Sequence, residues 1–164
     1  MKKVIFLSIL SIFVITGLFF TSQTLLARQL ESASGHGTLI NPDGSRRQFS
    51  FSAHRNSSGT VNGQANLHVD GYQLKVDISC MKVVGNVAIF GGTTRRTNDP
   101  NLVDAVYFSV QDNGEPGKNR DKISRVFFFD DDPTTTGDPQ LCQFNTPTDF
   151  PLETIESGNI QVRQ

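Results

Sequence analysis

From Gly35 onward, hydrophobic and polar residues alternate with a period of two, and no window of about ten residues carries a helical apolar stripe. Phe49, Phe51 and Ala53 alternate with Gln48, Ser50, Ser52 and His54; Val61, Gly63, Ala65, Leu67 and Val69 alternate with Asn62, Gln64, Asn66 and His68. Side chains facing each other across an antiparallel pair share a face, so Phe49 should oppose Leu67, Phe51 Ala65 and Ala53 Gly63. That register closes on the loop Ser57-Ser58-Gly59, with glycine where a three-residue hairpin needs a left-handed residue. Asp70-Gly71 is a two-residue hairpin signal, which sets Val69 against Tyr72, Leu67 against Leu74, Ala65 against Val76 and Gly63 against Ile78.

Gly85-Asn86 repeats the turn, but the alternation slips after Cys80. With Cys80 expected to point inward, a β-bulge near residues 80–82 is the simplest repair. The returning strand, from Val87, should end or kink at Gly91-Gly92. Residues 93–101, with Arg95 and Arg96, then read as a polar loop. A strand over 103–110 pairs with one over 123–129, across a Gly- and Pro-rich loop at 112–122. Phe127, Phe128 and Phe129 leave no polar face, so that strand should be covered on both sides. Segments around 141–144 and 158–162 complete the set. The pattern predicts an all-β fold, an antiparallel sandwich or small barrel of about eight or nine short strands joined mainly by hairpins.

The amino terminus changes the picture of where the chain works. Lys2 and Lys3 precede an uncharged apolar run over residues 4–20, then small and polar residues and a candidate cut after Ala27. That is the layout of a secretory signal peptide, with an uncleaved anchor as the alternative. The expected organisation is a signal peptide over 1–27, a linker over 28–34 and a single β domain over 35–164, secreted, periplasmic or extracellular, with no span in the mature chain. Loss of Lys2 and Lys3 takes the formal charge from −1 to about −3. Such a balance supplies no basic field for nucleic acid. Cys80 and Cys142 are the only cysteines. In an oxidising compartment they should pair and close a loop of about 60 residues.

Cys80-Met-Lys-Val83-Val-Gly85-Asn86-Val-Ala88, followed downstream by Val110-Gln-Asp112-Asn113-Gly114-Glu115-Pro116-Gly117 and Asp121, resembles a set of small secreted bacterial β-proteins. Their shared marks are Cys-x-x-Val-x-Gly-Asn-x-Ala and Val-x-Asp-Asn-Gly-Glu-Pro. The resemblance implies export and a single β domain; it carries no activity, cofactor or site residue across.

Asp112, Glu115 and Asp121 in one Gly-rich loop are a candidate calcium site, because Ca²⁺ takes several carboxylate and carbonyl oxygens from a turn-rich segment. Against that reading, Lys118, Arg120 and Lys122 are interleaved, and Asp112-Asn113-Gly114 and Glu115-Pro116-Gly117 read as two turns end to end. Asp130, Asp131 and Asp132 form a second acidic group, expected at the far end of the hairpin as a solvated loop entry. His54 and His68 face outward about 20 Å apart along the ladder and make no joint site; His36 is unplaced. Asn56-Ser57-Ser58 fits a glycosylation sequon that in a bacterial protein marks only a loop. No nucleophile elbow, zinc-protease motif or phosphate loop is present.

The expected function is therefore a secreted, non-enzymatic β module with a binding or structural role and an extracellular or cell-surface partner. A calcium-dependent adhesion module and a hydrolase with an unrecognised site are the alternatives. Function is expected in the loops at 93–101 and 112–122.

Overall fold

The computed structural model describes residues 30–69, 71–99, 102–128 and 136–164. The apolar segment of residues 1–27 lies outside the described residues, as do Asp130, Asp131, Asp132 and Phe129. Nine antiparallel strands among the described residues form one sheet: β1 (Ser32–Ile40), β2 (Arg46–Arg55), β3 (Val61–Val69), β4 (Tyr72–Val84), β5 (Val87–Thr97), β6 (Ala105–Gln111), β7 (Lys122–Ser124), β8 (Leu152–Thr154) and β9 (Ser157–Arg163). The order is β8-β7-β6-β5-β4-β3-β2-β1-β9. The chain thus meanders from β1 to β8 and then returns β9 to the opposite edge, beside β1. Only Ile155 and Glu156 separate β8 from β9. Two residues span at most about 11 Å between flanking Cα atoms, so the sheet must curl until its edges approach, and it forms a curled half-barrel.

The registers expected for β2–β3 and β3–β4 are those observed, including Phe51 opposite Ala65 and Leu67 opposite Leu74. Gly59 and Gly71 take φ of +88° and +86° at the two turns. The inner faces enclose the main core, in which Phe51 contacts both Phe90 and Phe108 at ring-centroid distances of 5.3 and 6.0 Å. A second apolar cluster lies on the outer face of β4–β6, built from Cys80, Val87, Ile89, Tyr107, Cys142 and Phe150 with Phe127 against it. Residues of β5 and β6 are consequently buried on both faces. The Cys80–Cys142 disulfide, with a Cα separation of 6.1 Å, anchors the covering segment. Phe127 packs on the outer cluster while Val126 and Phe128 pack on the main core, so apolar residues on both sides of this segment are covered.

Several expectations are corrected. The bulge falls between Ile78 and Cys80, at Ser79, with a second irregularity at Lys75 and Val76. The extra residue inverts the alternation, so Ile78 and Met81 point inward while Cys80 joins the outer cluster. Strand β5 does not stop at Gly91-Gly92 but runs to Thr97, so residues 93–97 are strand rather than loop. The two glycines mark close approach instead: a Cβ on Gly91 would collide with the Pro139 carbonyl, and one on Gly92 would lie 2.6 Å from the Asp77 carbonyl.

Residues 139–143 form a 3₁₀ helix, not a strand. Asp138 caps it by accepting the Gln140 amide at 2.9 Å, Pro139 occupies its first turn, and Lys82 Nζ donates to the Gln143 and Asn145 carbonyls at its far end. The expected partner strand over 123–129 shortens to β7 plus an isolated bridge between Tyr107 and Phe127.

The linker expected over 28–34 gives way to β1 from Ser32. Gly35 and Gly37 of β1 lie opposite Phe51 and Phe49, whose rings occupy the space a side chain would need. Over its middle, the apolar cover of β1 comes from these rings, while Ala33 and Leu39 near its ends enter the core themselves.

Candidate functional site

The acidic loop serves the seam of the barrel. Strand β9 pairs with β1 on one side, leaving alternate amides on its other side without a strand partner. Asp121 Oδ2 accepts the Ile160 amide at 2.7 Å and Asp112 Oδ2 accepts the Val162 amide at 3.0 Å. The second Asp121 oxygen accepts the Asn113 amide, and Glu115 Oε1 accepts from the Asn159 and Gln161 side chains. Asp121 is fully buried. The carboxylates expected to hold calcium are therefore spent on a strand edge, and among the described residues no three His, Cys, Asp or Glu side chains are grouped to hold a metal. Asp112 Oδ1 accepts the Gly114 amide at 2.8 Å, and the hydrogen-bonded turn of the loop falls at residues 117–121, not 115–117; the side chains of Asp112, Glu115 and Asp121 act as the ninth strand's missing partner.

A different pair of hairpin tips forms an open groove of about 630 Å³. One wall is the β1–β2 connection, Asn41-Pro42-Asp43-Gly44-Ser45. The Gly44 amide donates to the Asn41 carbonyl at 2.9 Å, Pro42 occupies a favoured position in the turn, and Gly44 has φ of +82°. Asp43 Oδ1 accepts both the Ser45 amide at 2.8 Å and the Ser45 hydroxyl at 2.6 Å. The hydroxyl bond, then the amide bond, hold the Asp43 carboxyl below its ordinary value. The other wall is the β3–β4 tip, fastened by Asn98 at the end of β5. Asn98 Oδ1 accepts the Gln73 amide at 2.8 Å and its Nδ2 donates to the Gly71 carbonyl at 3.4 Å. Tyr72 stands half exposed on this wall, and His68 Nε2 bonds Gln73 Nε2 across the hairpin at 3.0 Å.

Between the walls lie Arg46 and Arg47. Arg46 is exposed, and no acidic side chain among the described residues pairs with it. Arg47 occupies the inward parity of β2, two residues before Phe49, and is only 5% exposed. Its guanidinium pairs with Glu153 of β8, which also takes the Arg125 Nε at 3.0 Å. One carboxylate thus accepts from two guanidinium groups at the mouth of the barrel. Arg47 Nε and the Oδ1 of Asn41, itself 7% exposed, have no hydrogen-bond partner within the protein. A buried donor or acceptor left unpaired costs about 1–3 kcal/mol, so two of opposite sense on one groove call for an explanation. Beneath Arg47 lies an apolar space of about 20 Å³ against Phe49, Leu67 and Phe108.

The histidines separate as follows. His36 and His68 line one shallow depression of about 420 Å³ on the outer face of β1–β3, whereas His54 lines another beside Asn62 and Asp77. Of the two loops expected to carry function, the first is largely strand and the second is the seam. Arg47 was the missed residue. Continuing the Phe49, Phe51, Ala53 alternation two positions back puts an arginine on the core face, and that is the signal that locates the groove.

Among the described residues, no helix is long and apolar enough to cross a membrane, and the buried disulfide suits a non-reducing environment. No family model, curated protein or solved structure matches the chain.

Proposed function

We propose that this protein is an exported, non-enzymatic binding module that seats a small polar ligand in the groove between the β1–β2 and β3–β4 tips. An exposed Arg46 lining the groove, which no acidic side chain among the described residues pairs, carries the reading. Export rests on the signal-peptide layout of residues 1–27 and on the disulfide, and the bacterial source on the sequence resemblance. The groove volume lies within the range of small-molecule sites, and its walls are braced, by Asp43 and Ser45 within their own turn and by Asn98 across to the β3–β4 tip. The test is ¹H–¹⁵N shift mapping of the mature protein with a library of sugars, hydroxy acids and amino acids. Shifts confined to both hairpin tips, with every library member recovered unchanged, are expected. Shifts mapping elsewhere, or accumulation of a reaction product, would overturn the proposal.

A further inference from the structure

We infer a second binding surface, the outer face of β1–β3, whose partner is a neutral, hydroxyl-rich polysaccharide. It lies beyond the groove and does not depend on the groove's ligand. Phe49, Phe51, Ala65 and Leu67 turn inward. The alternate residues of segments 32–38, 48–54 and 62–68 therefore face outward, in register as four rows across three strands; Ser34, Ser52 and Gln64 make one row. With strands about 4.8 Å apart and alternate residues about 6.7 Å apart, the rows cover roughly 20 by 10 Å. Two open depressions, of about 420 and 620 Å³, lie on this face. Every outward side chain in the four rows is serine, threonine, asparagine, glutamine or histidine; none is lysine, arginine, aspartate or glutamate, and none is aliphatic or aromatic. A surface shaped only for solubility carries about a quarter to a third charged residues. Here the charges stand at the borders, Arg46 beyond one end and Asp77 with Arg95 on the β4–β5 side. That composition selects the partner by charge. A polyanion or an anionic lipid surface meets no cation over three strands, and a protein partner meets no aromatic, aliphatic or arginine anchor. A neutral polymer of hydroxyls matches, because hydroxyls, side-chain amides and imidazole each offer both a donor and an acceptor. Part of the lattice is already ordered: Asn66 Nδ2 donates to Ser50 Oγ at 3.5 Å, His68 bonds Gln73 at 3.0 Å, and the Thr38 and Ser157 hydroxyls bond at 2.6 Å. Ordering before contact lowers the cost of binding. Each hydrogen bond exchanged with water contributes little, so affinity builds along the length of a polymer.

The experiment is co-sedimentation of the mature, disulfide-bonded protein with cellulose, chitin and starch granules, with cross-linked pectate as the acidic comparison. At least one neutral polymer should retain the protein, with an affinity that changes less than about twofold between about 0.1 and 1 M sodium chloride, because no ion pair is there to be screened. Ser52 is exposed on the central strand of the face, so Ser52→Glu and Ser52→Lys should melt within a few degrees of wild type. Each should nevertheless weaken retention about fivefold or more, since a charge of either sign must shed water against a neutral chain. Arg46→Gln, at the groove, should change retention less than about twofold. Failure of all three neutral polymers to retain the protein would overturn the inference. So would tighter retention on pectate than on any neutral polymer, or a gain with Ser52→Lys against a loss with Ser52→Glu, since both mark an anionic partner. Retention lost in Arg46→Gln and kept in both Ser52 variants would place the polymer in the groove, overturning this inference while leaving the groove reading in place.

Discussion

Asp121 accepts the amide of Ile160 at 2.7 Å, and through this bond the segment leading into β7 holds the free edge of β9. An edge strand with open amides would be a template for pairing with other chains; here carboxylates occupy the positions a tenth strand would supply. Asp121→Ala leaves the buried Ile160 amide and the part-buried Asn113 amide unpaired and is expected to lower unfolding free energy by about 2–4 kcal/mol. Urea denaturation measures it. A loss below 1 kcal/mol would show that the seam is held elsewhere.

The same bonding implies that calcium contributes nothing to the fold. Melting temperatures in calcium and in chelator should coincide, because the Asp112 and Asp121 oxygens already serve backbone amides. A rise in melting temperature on adding calcium would return the acidic loop to the list of metal sites.

Gly37 has the Phe49 ring on one side and the Ser157 carbonyl on the other. Gly37→Ala is therefore expected to destabilise by about 1–3 kcal/mol through overpacking, whereas Gly44→Ala costs only the strain of its positive φ, since nothing lies within 4 Å of its Cβ position. Thermal melts of the two variants compare these costs. A neutral Gly37→Ala would mean that the rings can move aside.

Removing the disulfide by Cys80→Ala with Cys142→Ala opens a loop spanning a sequence separation of 62 and should cost about 4 kcal/mol. Hydrogen exchange should rise over residues 136–150 before it rises over β1–β4, because the outer cluster is what the bond holds down.

Asp43 titrates lower in the folded protein than its ordinary 3.8, so its contribution is present above that value and vanishes as pH falls through the lowered folded value. The stability difference between wild type and Asp43→Asn should therefore be constant near neutrality and shrink toward zero in acid. Melts between pH 2 and pH 7 would show it, and a difference that widens in acid would contradict the assignment.

How far the sequence reaches follows from which residues carry their own signal. In β2, β3 and β4, binary alternation and turn chemistry point to one register, and the register is as read. Strand β1 is hidden because Gly35 and Gly37 bury a neighbour's aromatic rings instead of their own side chains. The 3₁₀ helix is not legible in the pattern because Leu141 and Phe144 are apolar yet exposed, Phe144 by 80%. The acidic loop drew attention by charge alone, although nothing in one sequence shows that its oxygens face β9. The groove joins residues from the β1–β2 and β3–β4 connections and the end of β5, which an antiparallel meander places at the same end of the sheet. Arg47 alone was within reach, as a charge on an apolar parity.

The proposed function requires the barrel mouth, where Arg47 pairs with Glu153, to serve ligand binding more than the fold. Replacing a buried ion pair by apolar residues of similar volume is often neutral or stabilising by about 1–4 kcal/mol. The decisive measurement is the unfolding free energy of the double variant Arg47→Met with Glu153→Leu, taken together with its groove-ligand affinity. Stability equal to or above wild type, with binding lost, is the expected result. A variant that is strongly destabilised yet binds as wild type would contradict the account.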